Sequence, residues 1–434
     1  MSETRLSKDS AFTKSLLHFV KLQGTDLQKR SLPYHEWANR RRELGVWPYA
    51  KILMERVGRQ AHVANEFQQN LARCINFGSQ DYLGLAQRGE LCEAVREALA
   101  EFGVHSAGSP VLCGRTRLVA ELEGKFSRLL GREECIIYPT GWAAGFGVIT
   151  GLVRADDTVL MDALSHNCLQ EGARHATPNV RRFTHNDTKE FADLLREERA
   201  KNSHNGLFVV IESLYSMDSD SPGLAEFIRL AREHEATVIL DVAHDLGSMG
   251  NKGLGLLENI KYQSEPDVIM GSFSKTFAAN GGFVACSRAV REYLAYHSSP
   301  HIFSNAISPM QTAVINRAFD IIFSPEGDLL RADLMRNVLR LRLAMEAKGM
   351  VVHGIPSPIV PVFVGDEKIA RLTSKHLTSN GLLANLVEFP AVARGKARFR
   401  FQVMANHQSD AIDRAAEIMA TSKATAIEEW GRIP

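Results

Sequence analysis

Lys275 stands between small residues in GSFSKTFAANGG (271–282), directly after the apolar run DVIMGS. An amine in that setting can meet a carbonyl and form a Schiff base if its surroundings lower its pKa. On this segment alone, a solvated lysine in a Gly/Ser loop is the better reading. Upstream, TVILDVAH (237–244) carries Asp241 at the end of its apolar run and His244 three residues later. A carboxylate at a neighbouring strand end is what a pyridinium nitrogen needs, because it keeps the ring protonated and electron-withdrawing. Lysine and aspartate together are the minimal equipment for pyridoxal 5'-phosphate.

Such a cofactor also needs a phosphate site and a ring partner. YPTGWAAGFGVITG (138–151) offers Thr140, Gly141 and Trp142 after an apolar run and at a small-residue helix start, where backbone N–H groups hold anions. Ser272 and Ser274 offer further hydroxyls from the lysine loop. His166, in MDALSHNCLQEGARHA, can stack on a planar ring, although a hydrogen-bonded structural histidine would look the same. His185 in FTHND reads as structural, and Glu212 closes the run GLFVVIESL.

These groups share one address, the ends of short apolar runs. CIIYPT (135–140), TVLMDAL (158–164), GLFVVIESL (206–214), TVILDVAH, DVIMGSFSK (267–275) and GFVACS (282–287) are nearly continuous in hydrophobicity, which means burial on both faces. DTKEFADLLREERA (187–200) and AEFIRLAREHE (225–235) between them have helical periodicity. Strands alternating with helices predict an α/β domain with a mainly parallel sheet, and ligands bind such sheets outside the carboxyl ends of the strands. After residue 310, helical segments followed by IVPVFVG and RFRFQVM suit a smaller α+β domain. The first 75 residues are polar and basic and read as short helices lying on something else. The expected organisation is an N-terminal helical segment (1–75), a large cofactor domain (76–310) and a small C-terminal domain (311–434).

Composition narrows the partners. With 51 basic and 50 acidic side chains among 434 residues, the chain has no broad basic surface for nucleic acid. Six cysteines without a CxxC pair give no zinc ribbon or thioredoxin-type site and read as free thiols in a reducing compartment. The N-terminus lacks a signal-like apolar stretch and no run is long enough to span a bilayer, so a cytoplasmic location is expected.

NFGSQDYLGLA, TGWAAGFGVITGL, SHNCLQEGARHA, RRFTHND, IESLYSMDSDSPGLAE, DVAHDLGSMGNKGLGLL, GSFSKTFAANGG, SPIVPVFVGD and ARFRFQVMANH occur in an order that resembles the pyridoxal-phosphate-dependent α-oxoamine synthases, over about residues 75–420. The resemblance implies the type I aminotransferase fold, a large domain with a mainly parallel central sheet plus a smaller α+β C-terminal domain. It implies that Lys275 is the Schiff-base lysine, Asp241 pairs with the pyridine nitrogen, His244 meets the phenolic oxygen and His166 stacks on the ring. Glu212 and Ser216 match the ESLYSMD segment beside the cofactor, and Thr140, Gly141 and Trp142 match the phosphate turn, with Ser272 as an added donor. Arg400 matches the substrate-carboxylate arginine, a task suited to a bidentate guanidinium. Gln80 stands where the family often has a substrate-binding Asn. A homodimer is implied, with Ser304 offering a phosphate contact to the other subunit's site. One departure is Asp-Val-Ala-His-Asp (241–245) in place of the family's usual Asp-Glu-Ala-His-Ser; Asp245 puts a negative charge where the family has Ser, with no evident purpose. The implied reaction is condensation of an amino acid with an acyl thioester, acyl-CoA by preference, with decarboxylation to an α-aminoketone. An aminotransferase, or a β-hydroxy amino acid aldolase or lyase, would use the same cofactor without acyl transfer. A catalytically silent subunit of the lysine-lacking kind is opposed by Lys275 itself.

Overall fold

The apolar runs become strands, and the order in which those strands pair decides which polar ends meet. The computed structural model describes residues 9–65, 68–260 and 265–432. In chain order the strands are β1 (Lys51–Leu53), β2 (Gln60–Asn65), β3 (Gln68–Asn76), β4 (Glu134–Tyr138), β5 (Thr158–Asp162), β6 (Val180–Phe183), β7 (Leu207–Glu212), β8 (Thr237–Asp241), β9 (Val268–Ser272), β10 (Gly282–Cys286), β11 (Val351–Val352), β12 (Ile359–Gly365), β13 (Leu382–Leu383), β14 (Asn385–Val387) and β15 (Ala397–Gln402).

Residues 80–216 and 220–332 form one compact unit around a seven-stranded sheet in the order β4-β10-β9-β8-β7-β5-β6. Strands β5 to β9 pair in parallel, while β10 is antiparallel to both β9 and β4. Parallel neighbours need crossovers, and helices Asn167–Ala176, Thr188–Lys201 and Leu224–Glu233 supply those from β5 through β8. Leu224, Phe227, Ile228 and Ala231 show the reason these segments are helical: apolar residues recur on one face and are buried. Val148, Met161, Val210, Ile239, Met270 and Val284 belong to the core packed on the sheet. Helix Pro309–Ile322 also belongs here, packed on helices Gly89–Phe102 and Arg117–Leu130, so this unit runs past the expected junction at 310.

The residues up to 79, 217–219 and from 333 onward form the other unit, with two four-stranded sheets, β1-β2-β3-β13 and β11-β12-β15-β14. The expectation that residues 1–75 are purely helical is corrected here. Helices Ser10–Thr13 and Leu27–Glu43 are present, but β1, β2 and β3 follow them. Ala61, Val63 and Cys74 lie at alternating positions and are buried with Leu383 of β13, a period-two pattern that the intervening polar residues hide in the sequence. The N-terminal segment is tied to the C-terminal one by a buried ion cluster, in which Glu388 accepts from Arg41 Nη1 (3.1 Å) and Arg371 Nε (2.7 Å). Among the described residues no helix is long and apolar enough to cross a membrane.

Candidate active site

Parallel pairing brings the first three groups together. Strands β7 and β8 run in register, so Glu212 and Asp241 are Cα partners at their last positions. The next strand, β9, ends at Ser272, with Lys275 three residues beyond. Both carboxyls are buried. Burial lifts each above the ordinary carboxylate range, and the charge of Asp241 lifts Glu212 further. Lys275 draws Asp241 the other way, so its amine favours the ionised form that burial disfavours. Past Lys275 the chain turns at Ala278, whose φ of 54° is in the left-handed region that a residue with a Cβ seldom adopts. The Ala279 N–H donates to the Phe273 carbonyl at 3.2 Å and holds this turn closed.

A second cluster forms where β4 hands over to helix Gly141–Leu152. Thr140 is the N-cap, and its Oγ1 accepts from the Ala143 N–H at 3.0 Å. A Cβ on Gly141 would lie 2.3 Å from Ser272 Oγ, so glycine is what lets this helix start meet the end of β9. Ser272 Oγ and Ser274 Oγ are 2.8 Å apart. The first-turn N–H groups and three hydroxyls form a donor set suited to a phosphate. Trp142 is half-exposed and stacks on Phe146 with ring centroids 5.0 Å apart.

His166 is the N-cap of helix Asn167–Ala176, and its backbone N–H donates to Glu212 Oε1. Glu212 therefore fixes the residue from which the imidazole projects. His166 Nδ1 accepts from the Cys168 N–H at 3.3 Å and lies 3.0 Å from Cys168 Sγ. Burial pushes the Cys168 thiol far above its ordinary range, so it remains S–H and donates. With Nδ1 accepting twice, the ring proton belongs on Nε2.

His244 Nδ1 lies 3.0 Å from the hydroxyl of Tyr82, and both residues are buried. The sequence reading did not single out Tyr82; its one signal was membership of the DYLGLA motif. The added charge of Asp245 now has a place. Asp245 accepts from Ser213 Oγ at 2.6 Å and from the Leu256 N–H at 2.7 Å, and burial raises its pKa to about 6. Ser213 Oγ also lies 3.1 Å from the Asp241 carbonyl, so Asp245 braces the backbone that carries Asp241. His185 bridges Asp162 and Asp220 at 2.9 Å each, edge-on to Tyr215. Burial alone would lower its pKa, but the two carboxylates prevail and raise it to about 10, which makes the residue a cationic clamp between them.

Four further expected residues have the following surroundings. Ser216 is half-buried in the turn between Tyr215 and Asp220. Ser304 donates to the carbonyl of Pro300 in its own chain at 2.5 Å, beside the 83% exposed Phe303. Gln80 is half-buried at the head of the same unit. Arg400 belongs to the other unit, on β15 opposite Pro361 and Asn385. There the Gln402 amide oxygen, oriented to satisfy its neighbours, accepts from Arg400 Nε (2.9 Å) and Nη2 (3.3 Å).

A buried carboxylate beside the Lys275 amine, that amine on a tight loop, an imidazole fixed as a single tautomer and a capped helix start lined by hydroxyls fit pyridoxal 5'-phosphate in chemistry. Residues 72–419 match the family of class I and II aminotransferases. The chain is 33% identical over 347 residues to the 8-amino-7-oxononanoate synthase of Salmonella paratyphi B, covering 80% of this chain and 88% of that one. It is 32% identical over 347 residues to the serine palmitoyltransferase of Sphingobacterium spiritivorum, covering 80% and 86%. A solved serine palmitoyltransferase with pyridoxal phosphate as its internal aldimine superposes with a TM-score of 0.86 at 25% identity, over 93% of this chain and 99% of that one. The fold is the type I aminotransferase fold, and the chain belongs to the class I and II aminotransferase family of pyridoxal-phosphate enzymes.

Proposed function

We propose that this chain is an α-oxoamine synthase, a pyridoxal-phosphate-dependent acyltransferase that condenses an amino acid with an acyl thioester and, with loss of carbon dioxide, releases an α-aminoketone. The observation that supports it most is the meeting of Lys275 with a buried Asp241 at the carboxyl ends of adjacent strands. That pair occurs in a chain about equally similar to a synthase named for an amino-oxo product and to an acyltransferase named for serine.

When bound, pyridoxal phosphate supplies a reactive aldehyde and an electron sink for the substrate's α-carbon. Lys275 would offer the amine for that aldehyde and could take the α-proton, a type of acid–base help worth typically 10²–10⁴-fold. Asp241 would keep a proton on the ring nitrogen. His166, held by Glu212 from its backbone and by Cys168 at Nδ1, would stack on the ring and exclude water. His244, anchored by Tyr82, would meet the ring's oxygen, and Ser216 would add to the cofactor's surroundings. Thr140, Gly141, Trp142 and Ser272 would hold the phosphate, with Ser304 serving the site of a partner in a homodimer. Arg400 and Gln80 take the amino acid's carboxylate. A cytoplasmic enzyme is the setting this reading implies.

The test is thiol release. Mixing the pyridoxal-phosphate-loaded protein with acyl-CoA and a panel of amino acids should free coenzyme A only when both substrates are present, with an aminoketone seen by mass spectrometry. Amine transfer to a keto acid without thiol release would overturn the reading in favour of an aminotransferase.

A further inference from the structure

Asp245 has no part in the roles given to the other strand-end acids, yet the fold is built to hold it. Its side chain is fully buried. One oxygen accepts from Ser213 Oγ at 2.6 Å and the other from the Leu256 N–H at 2.7 Å. Both oxygens accept, as suits the ionised form, and a pKa of about 6 keeps that form dominant at neutral pH. The loop around it is shaped for this contact. Gly255 has a φ of 64°, and a Cβ there would collide with Asp245 Oδ2.

What surrounds this carboxylate is the unusual part. Two other buried acids are met by cations: Asp162 by His185, and Glu388 by Arg41 and Arg371. The two donors to Asp245, a hydroxyl and an amide, are both neutral. The charged group that Asp245 senses is another acid, Asp241. The Ser213 N–H donates to the Asp241 carbonyl at 2.9 Å, so the residue that holds Asp245 is itself fixed to the backbone of Asp241. On the other side, Glu212 is the Cα partner of Asp241 and also feels its charge. Lys275 supplies the positive charge beside Asp241, and the imidazole of His166 is near it as well. Glu212 and Asp245 thus both press negative charge on Asp241. A buried carboxylate without a cation is costly, and a negative neighbour favours the protonated form of any group beside it. That cost is useful where the group paired with Asp241 becomes a cation only by holding a proton, as a pyridine nitrogen does.

We propose that Asp245 is a positioning residue for the cofactor: its fixed negative charge acts through Asp241 to keep the bound pyridine ring in its cationic form. This role rests on the pairing proposed for Asp241 and is independent of acyl transfer.

The test is a competition on the full-length holoenzyme. It is equilibrated with mixtures of pyridoxal phosphate and the 1-deaza analogue, in which a C–H replaces the ring nitrogen. The bound ratio is read by mass spectrometry after borohydride trapping. The analogue keeps the aldehyde and the phosphate, so a change in fold or in phosphate grip moves both ligands alike. Asp245→Asn keeps an acceptor oxygen and loses the charge. It should lower the preference for pyridoxal phosphate about tenfold, the equivalent of one pKa unit at the ring nitrogen. By NMR of nitrogen-15-labelled cofactor, the bound ring should lose its proton about one pH unit lower in this variant than in wild type. Should Asp245→Asn fail to fold, Asp245→Ser is read in the same way. A ratio that falls with Asp241→Asn but with neither Asp245 variant overturns the proposal and leaves the Asp241 pairing standing. A ratio insensitive to all three removes that pairing too. Equal weakening of both ligands, with the ring proton unchanged, makes Asp245 a structural group only and overturns the proposal.

Discussion

The carboxyl ends of β7, β8 and β9 and the Glu388 cluster of the other unit treat buried charge in different ways. At the strand ends two buried carboxyls are Cα partners: Asp241 is beside Lys275, Glu212 accepts from the His166 N–H, and Asp245 is held by Ser213 and Leu256. In the other unit the buried Glu388 is held by Arg41, Arg371 and Tyr49. A carboxylate between two guanidiniums is a closed structural clamp, whereas two neighbouring carboxyls beside one amine suit a bound group that brings charge of its own.

The comparison breaks most visibly at Lys275. Lys275→Ala should lower amino-acid-dependent thiol release by 10²–10⁴-fold. A thiol-release assay on this variant would refute the role given to the strand ends if turnover survived without Lys275. A smaller effect is expected at the clamp between Asp162 and Asp220. Removing one partner of a buried ion pair costs about 3–5 kcal/mol, and partial exposure of His185 brings His185→Gln nearer to about 2–3 kcal/mol in urea unfolding. The folded pKa of His185, about 10, lies above the ordinary 6.5. The clamp's stabilisation is therefore complete below pH 6.5 and is lost as pH rises through 10, so the gap between wild type and variant should close over that interval. The smallest effect belongs to Cys168. Cys168→Ala removes one donor from His166 Nδ1, a loss of about 1 kcal/mol, or roughly fivefold in kcat. It should also shift the pH profile, and Cys168→Ser should restore both. An unchanged pH profile in the alanine variant would make Cys168 a packing residue only.

What the sequence disclosed follows the same division. Strands β7 and β8 are buried along nearly their whole length, so LFVVIE and TVILD read as strands without help, and their last residues read as site residues. The first 75 residues misled because charged and polar residues interrupt the alternation of β2 and β3. Long-range partners left no local trace. Tyr82 meets His244 across 162 positions, and Asp245 could be understood only once Ser213 was seen between it and Asp241. The need for glycine at 141 likewise depends on Ser272, which only the pairing of β9 with β10, and of β10 with β4, brings alongside.

The central claim is covalent capture of the cofactor aldehyde by one amine. Protein loaded with pyridoxal phosphate should absorb in the visible range, lose that band on treatment with borohydride, and yield on proteolysis a single pyridoxyl-modified peptide containing Lys275. A colourless protein, or a reduced adduct on any other lysine, would contradict the account.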